Sequence, residues 1–363
     1  MNILLVRTSA LGDIVHALPV LIALRRALPN ARIGWVVEQV FAPVLAGHPD
    51  LDLVVPVRLR AWRRTLGARA TRRELRTALR ALRAFRADVA LDLMGNHKGA
   101  LLARLSGARR VIGAARRDRR EPESALWLRE TVPTPSVHAV DRMLDLLAAV
   151  GVAAPTPVDF AGDRLMMPDS AALADAGAED AALARLLADD APPFVLLQVG
   201  AGWGNKIYPP ARWGAVARVL RAQTGHEVWV PVAPGERHLA DAAAEASDGA
   251  ARCVDAGPFP VFAALVRRSR LLIGGDTGPL HLAHALGTPV VCVLGPTDPA
   301  RNGPYRQPER CVYLRLPCSF CHRRMDDARP CLLDLPARAV VARAVAVLET
   351  LSAPSFAAFD AFR

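Results

Sequence analysis

The sequence predicts an α/β protein made of two doubly wound, Rossmann-like domains that face each other. Three observations carry that expectation. Short runs of β-branched and aliphatic residues alternate with longer amphipathic stretches, the signature of a parallel sheet with crossover helices. The same alternation starts afresh near residue 194. The length, 363 residues, suits two domains of ordinary size better than one.

Taken in order, Ile3–Val6 reads as a strand, followed by a turn at Thr8–Gly12 and a helix over Ile14–Ala27. Ile33–Val37, Leu53–Val57 and Val89–Leu93 read as further strands. Between the last two, Leu75, Leu79 and Leu82 share one face of a helix over 69–86, and arginines occupy the other. Val111–Ile112 is a short strand and His138–Val150 a helix. Pro155, Pro157 and Pro168 mark 151–168 as a boundary. In the second half, the strand Phe194–Gln198 runs into a glycine loop, Gly200–Gly204, then a helix from Pro210 to Gln223 and a strand at Glu227–Pro231. Leu271–Ile273 and Val290–Leu294 are strands on either side of a helix at Leu280–Leu286. The expected domains are 1–160 and 161–345, with a tail over 346–363 packing back on the first. Ligands of such sheets bind beyond the carboxyl ends of the strands, which singles out the loops after Val6, Gln198 and Ile273.

Charge is distributed unevenly. The net charge is +11, yet residues 1–150 hold 25 basic and 13 acidic side chains, leaving 21 basic and 22 acidic for the rest. Only two of the 46 basic residues are lysines, Lys98 and Lys206. A lysine in so arginine-rich a chain is a candidate for a task that a compact ammonium does better. No apolar run reaches the roughly 18 residues that span a bilayer. The opening Met1–Val6 lacks a basic leader, so no signal peptide is expected. Six cysteines are too few for a disulfide framework and fit a reducing cytoplasm. Six tryptophans and three tyrosines leave little for a base-stacking platform, so nucleic acid is not an expected partner despite a pI near 10.3.

Four groups of residues carry candidate chemistry. In Gly274-Gly275-Asp276-Thr277-Gly278-Pro279-Leu280-His281, a buried strand gives way to a helix through glycines. The free amides of such a first turn favour a phosphate, and Thr277 and His281 add polar groups. Asp276 or Thr277 is equally readable as a plain helix cap. Gly200–Gly204 leads to Lys206, a point charge suited to a diphosphate, without the order of a Walker loop. After the first strand, Gly12-Asp13 offers either a general base or an N-cap, and the absence of Gly-x-Gly-x-x-Gly disfavours a dinucleotide cofactor. Arg58, Arg60, Arg63 and Arg64 beside Trp62, with Lys98, Arg116, Arg117, Arg119 and Arg120, form a basic surface for an anionic partner. Separately, Cys318-x-x-Cys321-His322 lies between Cys311 and Cys331. The four thiols are candidate ligands for a structural zinc or iron, although their flanking spacings are irregular.

Thr8-Ser9-Ala10-Leu11-Gly12-Asp13-Ile14-Val15-His16-Ala17-Leu18-Pro19, Trp35-Val36-Val37-Glu38 and Arg60-Ala61-Trp62-Arg63-Arg64 resemble the lipopolysaccharide heptosyltransferases, most of all their heptosyltransferase I branch. Asp276-Thr277-Gly278-Pro279-Leu280-His281 and Gly295-Pro296-Thr297-Asp298-Pro299 are similar to the second-domain signature of glycosyltransferase family 9. The resemblance runs from residue 1 to about 350. It implies a GT-B fold with a deep interdomain cleft, an ADP-heptose donor on the C-terminal domain, and an acceptor in the Kdo region of lipopolysaccharide on the N-terminal domain. It implies an inverting reaction that requires no cofactor or metal, at the cytoplasmic face of the inner membrane. Carried over, Asp13 matches the general base. Lys206, Asp276, Thr277 and Gly278 match the diphosphate site with His281 beside it, and Glu236 matches a ribose-binding acid. Arg60, Arg63, Arg64, Lys98 and Arg120 match acceptor-side positions. Two departures stand out: Ile207-Tyr208-Pro209 follows Lys206 where the family has Arg or His before Trp-Pro, and the Cys318–Cys331 stretch is unlike heptosyltransferase I. Alternatives are a family member with another donor sugar or a heptose or protein acceptor, and a GT-B-like sugar-nucleotide epimerase. An epimerase needs no second anionic substrate, so the basic face argues against it.

Overall fold

β1 (Asn2–Val6) buries Ile3, Leu4, Leu5 and Val6 completely, as a strand does when both faces of its sheet are covered. α1 (Leu11–Ala27) is apolar around its whole circumference and is buried without interruption from Ile14 to Leu24. The first unit continues with β2 (Arg32–Glu38), β3 (Leu53–Val57), α2 (Leu59–Arg64), α3 (Arg69–Ala84), β4 (Val89–Asp92), α4 (His97–Leu105), β5 (Arg110–Ala114), β6 (Glu130–Val132) and α5 (Ala139–Leu144). The structure is a computed structural model describing residues 1–65, 67–160, 162, 165, 180–188 and 190–352. It divides into two units, Met1–Met166 and Met167–Arg363.

In the second unit the order is α6 (Ala181–Leu187), β7 (Phe194–Gln198), α7 (Pro210–Thr224), β8 (Glu227–Val232), α8 (Arg237–Glu245), β9 (Ala251–Asp255), α9 (Phe259–Arg268), β10 (Leu271–Gly275), α10 (Gly278–Ala285), β11 (Val290–Val293), β12 (Cys311–Val312) and α11 (Ala337–Ser352). The strands pair as β3-β2-β1-β4-β5-β6 in one sheet and β12-β11-β10-β7-β8-β9 in the other. Every pairing is parallel. Counted from its own first strand, each sheet has the same doubly wound order. Its direction of winding reverses between β1 and β4 in one unit and between β7 and β10 in the other. Those switch points are where loops diverge and leave room for a ligand.

Several expectations shift. α1 begins at Leu11, three residues early, because the Asp13 carboxylate accepts the Ala10 amide N–H at 3.0 Å and so satisfies a donor at the helix start. The stretch 138–150 is helical only to Leu144 and then tightens into 3-10 turns over Asp145–Val150. On α3 only Thr71 and Leu82 are fully buried, so most of its arginines are a solvated face. The strands β6, β9 and β12 and the helices α2, α4, α6, α8, α9 and α11 add to the elements expected from sequence. Residues 346–352, expected as the start of a tail, continue α11, and Val347 and Leu348 belong to the core of the second unit with Val340, Val341 and Ala344. The rest of that tail, 353–363, and most of the expected boundary beyond residue 160 lie outside the described residues.

Candidate functional site

β7 and β10 are hydrogen-bonded neighbours, so the loops leaving their carboxyl ends meet although 70 residues separate them. One turn of 3-10 helix, Gly204–Lys206, aims Lys206 at the start of α10. The Lys206 ammonium donates to Asp276 Oδ2 at 2.6 Å and to the Asp276 carbonyl at 3.4 Å, and it lies 4.5 Å from the centre of the Trp203 ring. The other carboxylate oxygen of Asp276 is 3.0 Å from His281 Nε2, one turn into α10. Asp276 is therefore a hub that aims two side chains. Burial by itself would raise its carboxyl, but the His281 hydrogen bond and the Lys206 charge outweigh that and hold it well below the usual carboxylate range.

Thr277 occupies the N-cap position of α10 yet makes no capping bond, and its Oγ1 is buried without a partner. The same holds for Thr297 Oγ1, in the loop that follows β11. Hydroxyls buried in this state are costly unless something bonds them. Gly278 is half-buried in the first turn, where free amides attract an anion. Glu236 starts α8, and a Cβ at Gly200 would overlap its carboxylate. Burial raises the Glu236 carboxyl, against the charge of His238, and Gln198 Nε2 donates to it at 3.5 Å. The structure thus gathers Lys206, Asp276, Thr277, Gly278, His281 and Glu236 around one set of strand ends. Tyr208 belongs to the core instead: it is buried edge-on to Trp213 with ring centres 5.0 Å apart, and its hydroxyl donates to the Leu335 carbonyl at 2.8 Å. Burial pushes that phenol up to about 12.

Asn205 was not visible in the sequence as a site residue, since an asparagine in a glycine loop reads as turn chemistry. It is buried, its Nδ2 donates to the Arg323 carbonyl at 2.7 Å, and its Oδ1 accepts from the Met325 amide at 3.3 Å. Its own amide donates to the Met325 carbonyl at 3.1 Å, while the His322 amide reaches the Pro296 carbonyl at 2.9 Å. The cysteine-bearing segment is thereby strapped onto the glycine loop and the loop after β11.

Among the described residues the four thiols expected as metal ligands do not converge as one ligand set. Cys311 lies in β12 in register with Cys292, whose thiol burial and the hydrogen bond with Cys311 push far up. Cys318 and Cys321 are exposed on the strap and Cys331 is buried. Burial also raises the Cys331 thiol, with Cys318 and Cys321 adding to the shift. Ligation needs thiolates converging on one point. Among the described residues no group of three or more His, Cys, Asp or Glu side chains is placed to hold a metal ion.

In the first unit, the switch point between β1 and β4 carries Asp13. Its Oδ2 is bonded to the Ala10 amide, its Oδ1 pairs with Arg7, and its side chain is still 42% exposed. Arg7 is fixed in turn by its guanidinium, which donates to the Leu93 carbonyl beyond β4, and by its backbone carbonyl, which accepts from Trp35 Nε1 at 3.0 Å. Asp13 thus holds the helix start while its side chain stays partly open to solvent.

Arg60, Arg63 and Arg64 are exposed on α2. Glu38, at the end of β2, accepts from the Leu59 and Arg60 amides at 3.3 and 3.4 Å, and buried Trp62 donates to Glu74 at 2.7 Å. These anchors turn the arginines outward. Lys98 is exposed in the first turn of α4, and Arg120 is exposed on the loop after β5. Arg119 does not belong to the basic surface: it forms a fully buried pair with Asp92 at 2.5 Å and donates to Ser124 at 2.8 Å. Gly99 and Gly113 leave the space for that pair, because a Cβ at either would collide with it.

Residues 75–331 match glycosyltransferase family 9 (heptosyltransferase). The chain is 33% identical over 337 residues to lipopolysaccharide heptosyltransferase 1 of Pseudomonas aeruginosa, covering 91% of this chain and 88% of that one. It is 30% identical over 311 residues to lipopolysaccharide heptosyltransferase 1 of Escherichia coli K12, covering 84% and 91%. Among solved structures it is similar to E. coli heptosyltransferase WaaC with ADP, with a TM-score of 0.76 and 26% identity over 96% of this chain and 100% of that one. WaaC with ADP-2-deoxy-2-fluoro heptose gives a TM-score of 0.73 at 26% identity, covering 97% and 100%.

Proposed function

This chain belongs to glycosyltransferase family 9 and has its GT-B fold, and from that premise we propose that it moves L-glycero-D-manno-heptose from ADP-heptose to the Kdo region of the lipopolysaccharide inner core. The observation that carries the reading is Lys206, held by Asp276 and Trp203 at the β7/β10 switch point of a chain whose relatives are heptosyltransferases.

The donor's diphosphate lies against Lys206 and the first turn of α10. The free amides there and the unpaired Thr277 hydroxyl are donors aimed at charge that grows as ADP departs. Glu236, beside Gly200, accepts hydrogen bonds from the ribose hydroxyls. Asp276 stays behind Lys206 and His281 as a positioning group, since a bare carboxylate facing a diphosphate would repel it. In the first unit Asp13 takes the proton of the attacking acceptor hydroxyl as its oxygen bonds to the anomeric carbon, while the bond from that carbon to the diphosphate oxygen breaks. A single displacement inverts the anomeric centre. Arg60, Arg63, Arg64, Lys98 and Arg120 take the carboxylates and phosphates of the acceptor. No helix among the described residues is long and apolar enough to cross a membrane, and the lipid-borne acceptor places the enzyme peripherally at the cytoplasmic face of the inner membrane.

The test is a donor screen with Kdo-lipid A as acceptor, read by mass spectrometry. Addition of one heptose from ADP-heptose, with ADP released, is expected. Transfer from a different nucleotide sugar, with ADP-heptose untouched, would overturn the reading.

A further inference from the structure

The segment between β5 and β6 is tightly held yet presents two large apolar side chains to solvent. Arg119 ties it to Asp92 and Ser124 in the interior. The Glu121 amide donates to the Gly95 carbonyl at 3.1 Å, and the Glu121 carboxylate accepts from the His97 amide at 2.8 Å. On this braced segment Leu126 is 86% exposed and Trp127 40% exposed. Trp127 Nε1 donates to His97 Nδ1 at 3.1 Å, so the polar edge of the indole is already satisfied and the ring is left apolar. Rigid exposure of this kind marks a contact surface rather than a stray residue.

The surroundings are cationic. The same segment and the adjoining start of α4 carry Lys98, Arg116, Arg117, Arg120 and Arg129, all exposed. Of the nearby acids, Asp118 accepts from the Thr134 amide and Glu121 is engaged with His97, which leaves Glu123 as the exposed acid on the segment. In the second unit, Val219, Leu333 and Leu351 are exposed singly rather than as an adjacent pair. An indole with a neighbouring leucine beside several cations has the chemistry of a bilayer interface, where aromatic rings sit at headgroup level and cations meet anionic lipid.

We propose that Leu126 and Trp127, with Arg116, Arg117 and Arg129, form the surface by which this enzyme docks on an anionic bilayer. The inference rests on the reading that the acceptor is lipid-borne. Docking seats the apolar pair among the headgroups and brings the acceptor-side arginines to the membrane plane.

The experiment is sedimentation with phosphatidylcholine vesicles and with equimolar phosphatidylcholine–phosphatidylglycerol vesicles, together with tryptophan emission. The intact chain is expected to bind the anionic vesicles and to show a blue shift that Trp127→Phe abolishes. Leu126→Ser and the double variant Leu126→Ser/Trp127→Ser should weaken partition, the double by about tenfold, equivalent to about 1.4 kcal/mol. Val219→Ser should leave it unchanged. Turnover on a deacylated, water-soluble acceptor should match the unaltered enzyme in all four variants. Equal vesicle binding by the double variant would overturn this surface while leaving membrane association standing. Failure of the intact chain to bind anionic vesicles would overturn both, and transfer to the soluble acceptor would still test the heptosyltransferase reading independently.

Discussion

Asp276→Asn isolates what the hub at the β7/β10 switch point contributes. The substitution keeps the shape of the side chain and removes its charge. Lys206 loses its counterion, and the new amide turns a donor toward either Lys206 or His281, which are themselves donors in the present arrangement. Breaking a buried ion pair costs about 3–5 kcal/mol when the remaining charge stays buried. Lys206 keeps 14% of its side chain exposed and so regains some hydration, which puts the loss near the lower end, about 3 kcal/mol. For a unit of this size, roughly 2–4 °C per kcal/mol translates that into a fall of about 6–12 °C in melting temperature. The assay is scanning calorimetry, following the transition that added ADP raises, since a ligand stabilises the unit that binds it. The Asp276 carboxyl is held below its unfolded value, so its contribution is complete above the ordinary carboxylate range and is lost as pH falls through the folded value. The gap between the two proteins is therefore constant from neutral pH to about 5 and narrows below about 4, where the unfolded chain takes up the proton first. A variant that melts within about 1 °C of the parent at neutral pH, with unchanged ADP affinity, would refute the hub.

Other expectations follow from the same geometry. Asp13→Asn should retain ADP-heptose binding by calorimetry but lose at least about a hundredfold in turnover, as removal of a general base does; undiminished turnover would remove Asp13 from the chemistry. Gly200→Ala drives a methyl into the Glu236 carboxylate and should raise KM for the donor while leaving KM for the acceptor alone. Asn205→Ala leaves the Arg323 carbonyl and the Met325 amide without their partner, at a cost of about 1–3 kcal/mol. Hydrogen exchange should then quicken in the strap around residues 321–326, and unaltered exchange there would show that Asn205 does not hold it.

Much of this molecule can be read without coordinates. Strands buried on both faces appear as short aliphatic runs, which is why Ile3–Val6, Phe194–Gln198 and Leu271–Ile273 were legible. The strand–turn–helix at Gly275–Leu280 is a local event, and so are its glycines and its proline. β12 and β6, of two and three residues, have no such signature, because pairing with a neighbour alone makes them strands.

The sequence by itself determined the two-sheet architecture and the concentration of positive charge in residues 1–150, since both depend on composition or on neighbours in the chain. Tertiary structure alone decided what each charged group does. Strand order sets β7 beside β10, which pairs Lys206 with Asp276 across 70 residues. It sets β4 beside β5, which takes Arg119 out of the basic surface and buries it on Asp92. The four cysteines, adjacent enough in sequence to suggest a metal, are divided between a strand (Cys311), the exposed strap (Cys318 and Cys321) and a short helix in which Cys331 is buried. The physical reason is common to these cases: an ion pair or ligand set forms between side chains brought together by packing, and separation along the chain does not encode that proximity.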